Sequence, residues 1–281
     1  MSVQTKRILV LGASGRVGRL LRLVWEQSPP SDVELLFQSR TGPGVHWEPG
    51  QPNPFGQLDA VISLWGVTHG TQTELAANTT LALAAQDLAA QAGADRVLHC
   101  SSIAVYAPKD GMLAETDLTD PPNAYGWAKL AMEQALENTA GPKPVILRIG
   151  SVAGAESLAG SIQQGWQGTA SAVTLDQFAD GKGPARSYIA PTDLARVLIR
   201  LAVHPFGDLP GVVNVGGPVP VHMETLLQAA GHPMIWKPAP SAARQYAVLD
   251  CGRLSKLLPL SKDMSEPKHI MEDWLMLEGR I

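Results

Sequence analysis

The chain has 281 residues, 45% hydrophobic and only 17% charged, with a net charge of −4. That is long and apolar enough to bury a sizeable core in one large domain, or in one domain with a small appendage, and it excludes a disordered chain. No basic excess exists to neutralise phosphates, so no nucleic acid is expected as partner, and two distant cysteines, Cys100 and Cys251, outside any CxxC pattern argue against a disulfide framework or a zinc site.

Residues 1–6 are polar and lead directly into an apolar run, so no signal peptide is expected and the thiols are read as reduced in a cytoplasmic protein. Ile8 to Leu11 reads as a buried strand. Arg16 to Glu26 has helical spacing at Val17, Leu20, Leu21 and Val24. Val33 to Phe37 is a second strand, followed by a Gly- and Pro-rich loop from Ser39 to Gln57 with a short strand at Val45 to Trp47. Ala60 to Leu64 is a third apolar run, Leu75 to Ala92 a helix and Arg96 to Cys100 a strand. Tyr125 to Asn138 is a helix with Asn123 as its cap, and Val145 to Ile149 is a strand. Continuous apolar strands alternating with helices imply crossover units and a parallel sheet covered on both faces.

Beyond Ile149 the pattern loosens. Ser151 to Arg186 is small, polar and glycine-rich, and is expected to be mobile or to face substrate. Its charge-free part, Ser157 to Leu175, is too polar for a membrane span. Thr192 to Val203 reads as an amphipathic helix capped by Thr192 or Asp193, Val212 to Val215 as a strand, and Glu224 to Ala230, Leu254 to Leu258 and His269 to Leu277 as short helices. The expected architecture is α/β: a Rossmann-type doubly wound parallel sheet over residues 1–150, with 189–216 returning to it, and a small C-terminal substrate lobe from 151–188 and 217–281.

Gly12-Ala13-Ser14-Gly15-Arg16-Val17-Gly18 places a GxxGxxG pattern between the first strand and the first helix. Glycine lets the backbone approach a pyrophosphate, and the helix start at Gly15 offers free N–H groups and a positive dipole end to an anion. A carboxylate closing the second strand would bind the ribose 2′-hydroxyl of NAD. The strand here ends Phe37-Gln38-Ser39-Arg40. Ser39 and Arg40 suit a 2′-phosphate, so NADP is expected ahead of NAD.

Tyr125 and Lys129 form a YxxxK pattern, and residues four apart share a helix face. A free phenol, with a pKa of about 10, is a poor base at neutral pH. A nearby ammonium would lower it, and bringing it near 7 takes about 4 kcal/mol. Upstream, a strand ends in Ser101 and Ser102, and strand carboxyl ends are where open α/β sheets bind ligands. Ser102 could donate a hydrogen bond to a substrate oxygen.

Together these residues resemble the extended short-chain dehydrogenase/reductase family, also called the NAD-dependent epimerase/dehydratase family, over most of the chain. The likeness is carried by Gly12, Gly15 and Gly18, Asp59 to Trp65, Asn78, Ser101 to Ala107, the run from Glu115 and Pro122 through Tyr125, Lys129 and Glu133, Leu147-Arg148, and Asn214 to Gly216. The resemblance implies that Tyr125 exchanges a proton with a substrate oxygen, Lys129 lowers its pKa and holds the nicotinamide ribose, and Ser102 orients the carbonyl. It also implies cofactor contacts from Gly12, Ser14, Gly15, Arg16, Val17, Gly18, Ser39, Arg40, Leu64, Trp65, Gly66, Asn78 and Ser101.

Departures bear on the substrate pocket. Trp65 and Gly66 replace the usual small residues beside the cofactor, and Ala107 stands where glycine is usual. Ile103 and Ala104 occupy the positions where dehydratases of the family carry an extra acid and base, so dehydration is disfavoured. The expected activity is oxidoreduction or epimerisation of a sugar-like or small carbonyl substrate lined by Ser102, Ile103 and Arg186, with Arg186 facing an anionic group. The alternative is a non-catalytic dinucleotide sensor or scaffold. No metal is expected, Glu133 reads as a helix-surface residue or the partner of a cation, and pairing through the helices at 75–92 and 125–138 would make a homodimer.

Overall fold

The computed structural model describes residues 5–40, 42, 44–168, 172–205, 207 and 209–281. Residues 1–4 of the polar N-terminal segment and parts of the expected loops (41, 43 and 169–171) lie outside the described residues. The elements in chain order begin with β1 (Lys6–Leu11), α1 (Arg16–Gln27), β2 (Val33–Ser39), β3 (Val45–His46), β4 (Ala60–Ser63), α2 (Gln72–Gln91), β5 (Arg96–Ser102), β6 (Met112–Leu113), α3 (Ala124–Leu136) and β7 (Lys143–Ile149). There follow β8 (Ser151–Val152), α4 (Ser157–Trp166), β9 (Val173–Gln177), β10 (Ala185–Arg186), β11 (Tyr188–Ile189), α5 (Pro191–Ala202) and β12 (Val212–Val215). The chain ends with β13 (Val221–His222), α6 (Met223–Ala229), β14 (Met234–Pro238), β15 (Tyr246–Leu249), α7 (Gly252–Leu257) and α8 (Pro267–Leu277).

The chain forms two compact units. The first comprises the chain up to Pro108, Thr116–Ile149 and Ala195–Val213. Its sheet runs β12-β7-β5-β4-β1-β2-β3, and each pairing from β7 to β3 is parallel. β1 lies between β2 and β4, so the strand order reverses beside it, which is where doubly wound sheets open a crevice at their carboxyl ends. Ile8, Leu9, Val10 and Leu11 are wholly buried, which is why β1 reads as an unbroken apolar run. Leu9, Leu11, Val61 and Val97 pack with Ala85, Leu88 and Ala89 of α2 into one cluster. α2 opens with a capping box from Thr71 and Glu74, α3 with the Asn123 side chain accepting from Gly126 N at 2.9 Å, and the two helices pack along each other.

The second unit comprises Lys109–Glu115, Gly150–Leu194 and Asn214–Ile281. It holds a four-stranded sheet, β13-β10-β15-β6, and the pairs β11-β8 and β14-β9. Here the stretch expected to be loose is largely regular. α4 is capped by the Glu156 carboxylate, which accepts from Leu158 N (2.6 Å) and Ala159 N (2.9 Å), and β9 pairs in parallel with β14 along five residues. Capping by glutamate and a helix holding Gly160 and Gly165 hid α4, since glycine lowers helix propensity. Thr192 and Asp193 are not caps: α5 starts one residue earlier, at Pro191, the position proline favours. Asp193 instead lies 2.8 Å from His269 Nε2, and Thr192 N donates to Asp273 at 2.9 Å. No helix among the described residues is long and apolar enough to cross a membrane.

Candidate active site

The glycine turn after β1 can only be built with glycine. A Cβ on Gly18 would run into the Gly12 carbonyl and lie 2.8 Å from Ala13 Cα; Gly12, at φ +80°, has the Trp65 backbone against it. α1 begins at Gly15 with no side-chain cap and no acid in its first turn, unlike α2, α3 and α4, whose first N–H groups are taken by side chains. That leaves a helix N-terminus able to receive an anion, as a dinucleotide pyrophosphate requires. Ser14, Gly15 and Arg16 are exposed there, Val17 is half-buried, and Arg16 donates to Thr68 Oγ1 at 3.1 Å.

The end of β2 offers no carboxylate. Gln38, missed by a sequence reading that looked to its neighbours, turns inward: Gly12 N donates to its Oε1 (3.0 Å), Ala13 N to its carbonyl (3.2 Å), and its Nε2 donates to Trp47 O (2.7 Å). A polar residue ending a buried strand needs such partners, and that was the available signal. Ser39 is buried and Arg40 exposed. Beyond β4, Leu64 N donates to Leu11 O, and the Trp65 ring stacks on Trp47 at 6.0 Å. Asn78 pins the following loop, accepting from Val67 N and donating to Val67 O and Leu75 O. Gly66 fits between Asn78 and Lys129: a Cβ there would lie 2.6 Å from Asn78 Oδ1 and 3.2 Å from Lys129 Nζ.

β5 delivers Ser102 to the sheet's carboxyl end, where a 3-10 turn, Ile103–Val105, follows. α3 packs directly on this turn because Gly126 has no Cβ to strike the Ala104 carbonyl. The Tyr125 phenol and Ser102 hydroxyl are thereby brought within each other's influence. Burial raises the phenol's pKa, while Ser102 and the Arg16 charge pull it down. Lys129 Nζ donates to Cys100 O at 2.9 Å. Lys129 is 5% exposed, and burial, partly offset by Cys100 and Glu133, brings its pKa down to about 8. Cys100 is pushed up to about 12 by burial and stays a thiol.

Glu133 is no surface residue. It is buried, takes Arg148 Nη2 at 2.7 Å and Nε at 3.2 Å, and accepts a hydrogen bond from Ser101 Oγ. His99 is likewise buried, its Nε2 3.1 Å from Gln86 Oε1, and burial brings its pKa down to about 3. In the second unit, the Arg186 Nη groups donate to the carbonyls of Ala185, Gln245 and Arg244. Trp166 stacks on Trp274. Among the described residues no group of three or more His, Cys, Asp or Glu is arranged for a metal.

The profile of the NAD dependent epimerase/dehydratase family matches residues 8–216. A search of curated proteins finds no match. Similar solved structures include the UDP-Glc/GlcNAc 4-epimerase from Campylobacter jejuni (TM-score 0.78, 16% identity, 98% of this chain and 100% of that one). The UDP-glucose-4-epimerase from Stenotrophomonas maltophila with bound NAD and formylated UDP-arabinopyranose follows (0.77, 19%, 98% and 99%). A third is the UDP-glucuronic acid 4-epimerase from Bacillus cereus in complex with UDP-glucuronic acid and NAD (0.73, 19%, 98% and 100%). At these identities the likeness is one of fold.

Proposed function

The chain belongs to the NAD-dependent epimerase/dehydratase family, and from that premise we propose an NAD(P)-dependent oxidoreductase or epimerase acting at a carbonyl or alcohol carbon of a sugar-like substrate. The observation that carries this reading is buried Lys129, fixed on the Cys100 carbonyl beside Ser102 and one helical turn from Tyr125, in the unit that holds the uncapped glycine turn. The sensor alternative has no support from the family or the similar structures.

The turn Gly12–Gly18 and the first N–H groups of α1 would hold the pyrophosphate. Bound NAD(P) supplies the hydride donor and acceptor. Tyr125, its phenol kept protonated by burial, gives a proton to a substrate carbonyl oxygen and recovers it in the reverse direction. Ser102 donates to the same oxygen, the Arg16 charge stabilises the phenolate left behind, and Lys129, held at the Cys100 carbonyl, would hold the nicotinamide ribose. Ile103 and Ala104, next to Ser102, bring no second acid or base, which favours this proton exchange over dehydration.

NADP is proposed ahead of NAD because β2 ends without a carboxylate, with Gln38 committed to Gly12 and Trp47 and Arg40 exposed. The second unit is assigned as the substrate lobe, where Arg186, held by three carbonyls, is a fixed cation for an anionic substrate group. The side-by-side helices α2 and α3 expose Ala76, Thr80, Trp127 and Ala131, a nearly uncharged face suited to pairing two copies. The free thiols Cys100 and Cys251 suit the cytoplasm.

The test is a titration with NADPH and NADH, followed by transfer of label from 4-deuterated cofactor to UDP-sugars and small ketones. Saturable binding, tighter for NADPH, with label appearing in product is expected. Tighter NADH would reverse the cofactor assignment, and tight binding without transfer to any substrate would refute the enzyme.

A further inference from the structure

Glu133 follows Lys129 by one helical turn and Tyr125 by two, so the three side chains leave α3 on one face. Its carboxylate is already neutralised by the two-point contact with Arg148 of β7. It nevertheless takes a third donor, the Ser101 hydroxyl, from the residue next to Ser102. Arg148 in turn lies over the ring of Tyr106, 4.7 Å from its centroid, and Tyr106 closes the 3-10 turn that follows Ser102. The end of β5 is thus gripped twice by one helix, at the Cys100 carbonyl by Lys129 and at the Ser101 hydroxyl by Glu133.

Building on the reading of Tyr125, Ser102 and Lys129 as the reacting constellation, we propose that Glu133 is its positioning residue: through Ser101 and Arg148 it locks the end of β5 to α3 and so holds Ser102 against Tyr125. A hydroxyl given to a carboxylate is among the stronger hydrogen bonds, which suits a fixed register between strand and helix. Glu133 also bears on Lys129. The titratable groups that face Lys129 are His99 and Cys100 from β5 and Glu133 from its own helix, and Glu133 is an acid that favours the charged ammonium.

The experiment compares Ser101→Ala, Glu133→Gln and Tyr125→Phe with the unmodified full-length protein. It measures NADPH affinity by fluorescence, kcat and KM on the substrate found by label transfer, and the Lys129 titration by NMR of 13Cε-lysine without cofactor. Ser101→Ala is expected to lower kcat about 10- to 100-fold at saturating NADPH, the scale on which small misplacements of reacting groups act, with KM for the substrate within about threefold. Its Lys129 titration should stay at about 8, and in Glu133→Gln it should fall below that value. A Ser101→Ala protein with kcat within twofold of the unmodified one, or a Glu133→Gln protein whose Lys129 titrates unchanged, overturns the positioning role. Should Glu133→Gln fail to fold, Ser101→Ala decides, because it leaves the ion pair intact. Full activity in Tyr125→Phe would instead show that the reading of Tyr125 has failed.

Discussion

Replacing Glu133 by leucine takes away the carboxylate that a buried guanidinium meets. The side chains of Glu133 and Arg148 are only 6% and 7% exposed, and the carboxylate meets the guanidinium at 2.7 Å and 3.2 Å. Removing one partner of such a buried pair costs about 3–5 kcal/mol, a large part of the roughly 5–15 kcal/mol that holds a typical domain together. Arg148→Met should cost a similar amount, since it leaves the carboxylate with Ser101 as its hydroxyl donor and removes the cation over Tyr106. Were the two effects independent, the double variant would lose about 6–10 kcal/mol and would be close to unfolded. Most of each penalty is the charge the other residue no longer meets, so Glu133→Leu with Arg148→Met should lose only about 1–3 kcal/mol. Urea unfolding of the four proteins, followed by circular dichroism, reads the coupling directly. A double variant whose loss equals the sum of the two single losses would refute the description of this pair as desolvated and mutually dependent.

Gly18→Ala should weaken NADPH binding more than tenfold in a fluorescence titration, because the new Cβ meets the Gly12 carbonyl and Ala13 Cα with only backbone to yield; unchanged affinity would mean the turn does not hold the pyrophosphate. Lys129→Met should abolish turnover yet raise stability at pH 7. The folded ammonium titrates near 8, below its ordinary 10.5, so its burial penalty is fully present below pH 8 and relieved as pH rises toward 10.5. The stability gain in urea unfolding should shrink over that window, and a gain independent of pH would contradict it. His99, which titrates near 3 when folded and near 6.5 when unfolded, stays neutral while the unfolded chain takes up a proton, so stability falls as pH drops from 6.5 to 3. His99→Asn should lessen that fall by up to one proton's worth of slope in urea unfolding followed across the window; an unaltered slope would show that His99 titrates normally.

The large sheet was legible because its strands are buried on both faces: Ile8–Leu11 and Ala60–Ile62 stand out as apolar runs, and α3 carries a standard cap in Asn123. The second unit was not, because its strands are only two to five residues long and its ordering comes from distant partners. β9 depends on β14 some sixty residues on, and α5 is anchored through Asp193 and Thr192 by His269 and Asp273 of α8. At the site, the spacing of Tyr125 and Lys129 announced a shared helix face, but spacing says nothing of what each side chain touches. Lys129 reaches the Cys100 carbonyl, Gln38 folds back onto the glycine turn, and Glu133 joins two strands, all contacts between segments that only the sheet topology brings together.

The most direct test of the chemistry is a single-turnover measurement of label transfer from 4-deuterated NADPH by the Tyr125→Phe protein. Loss of one hydroxyl at the proton-exchanging position should lower the rate at least about 100-fold, the range general acid–base groups supply, with cofactor affinity unchanged. A Tyr125→Phe protein that transfers label at the unmodified rate would show that the proton comes from elsewhere.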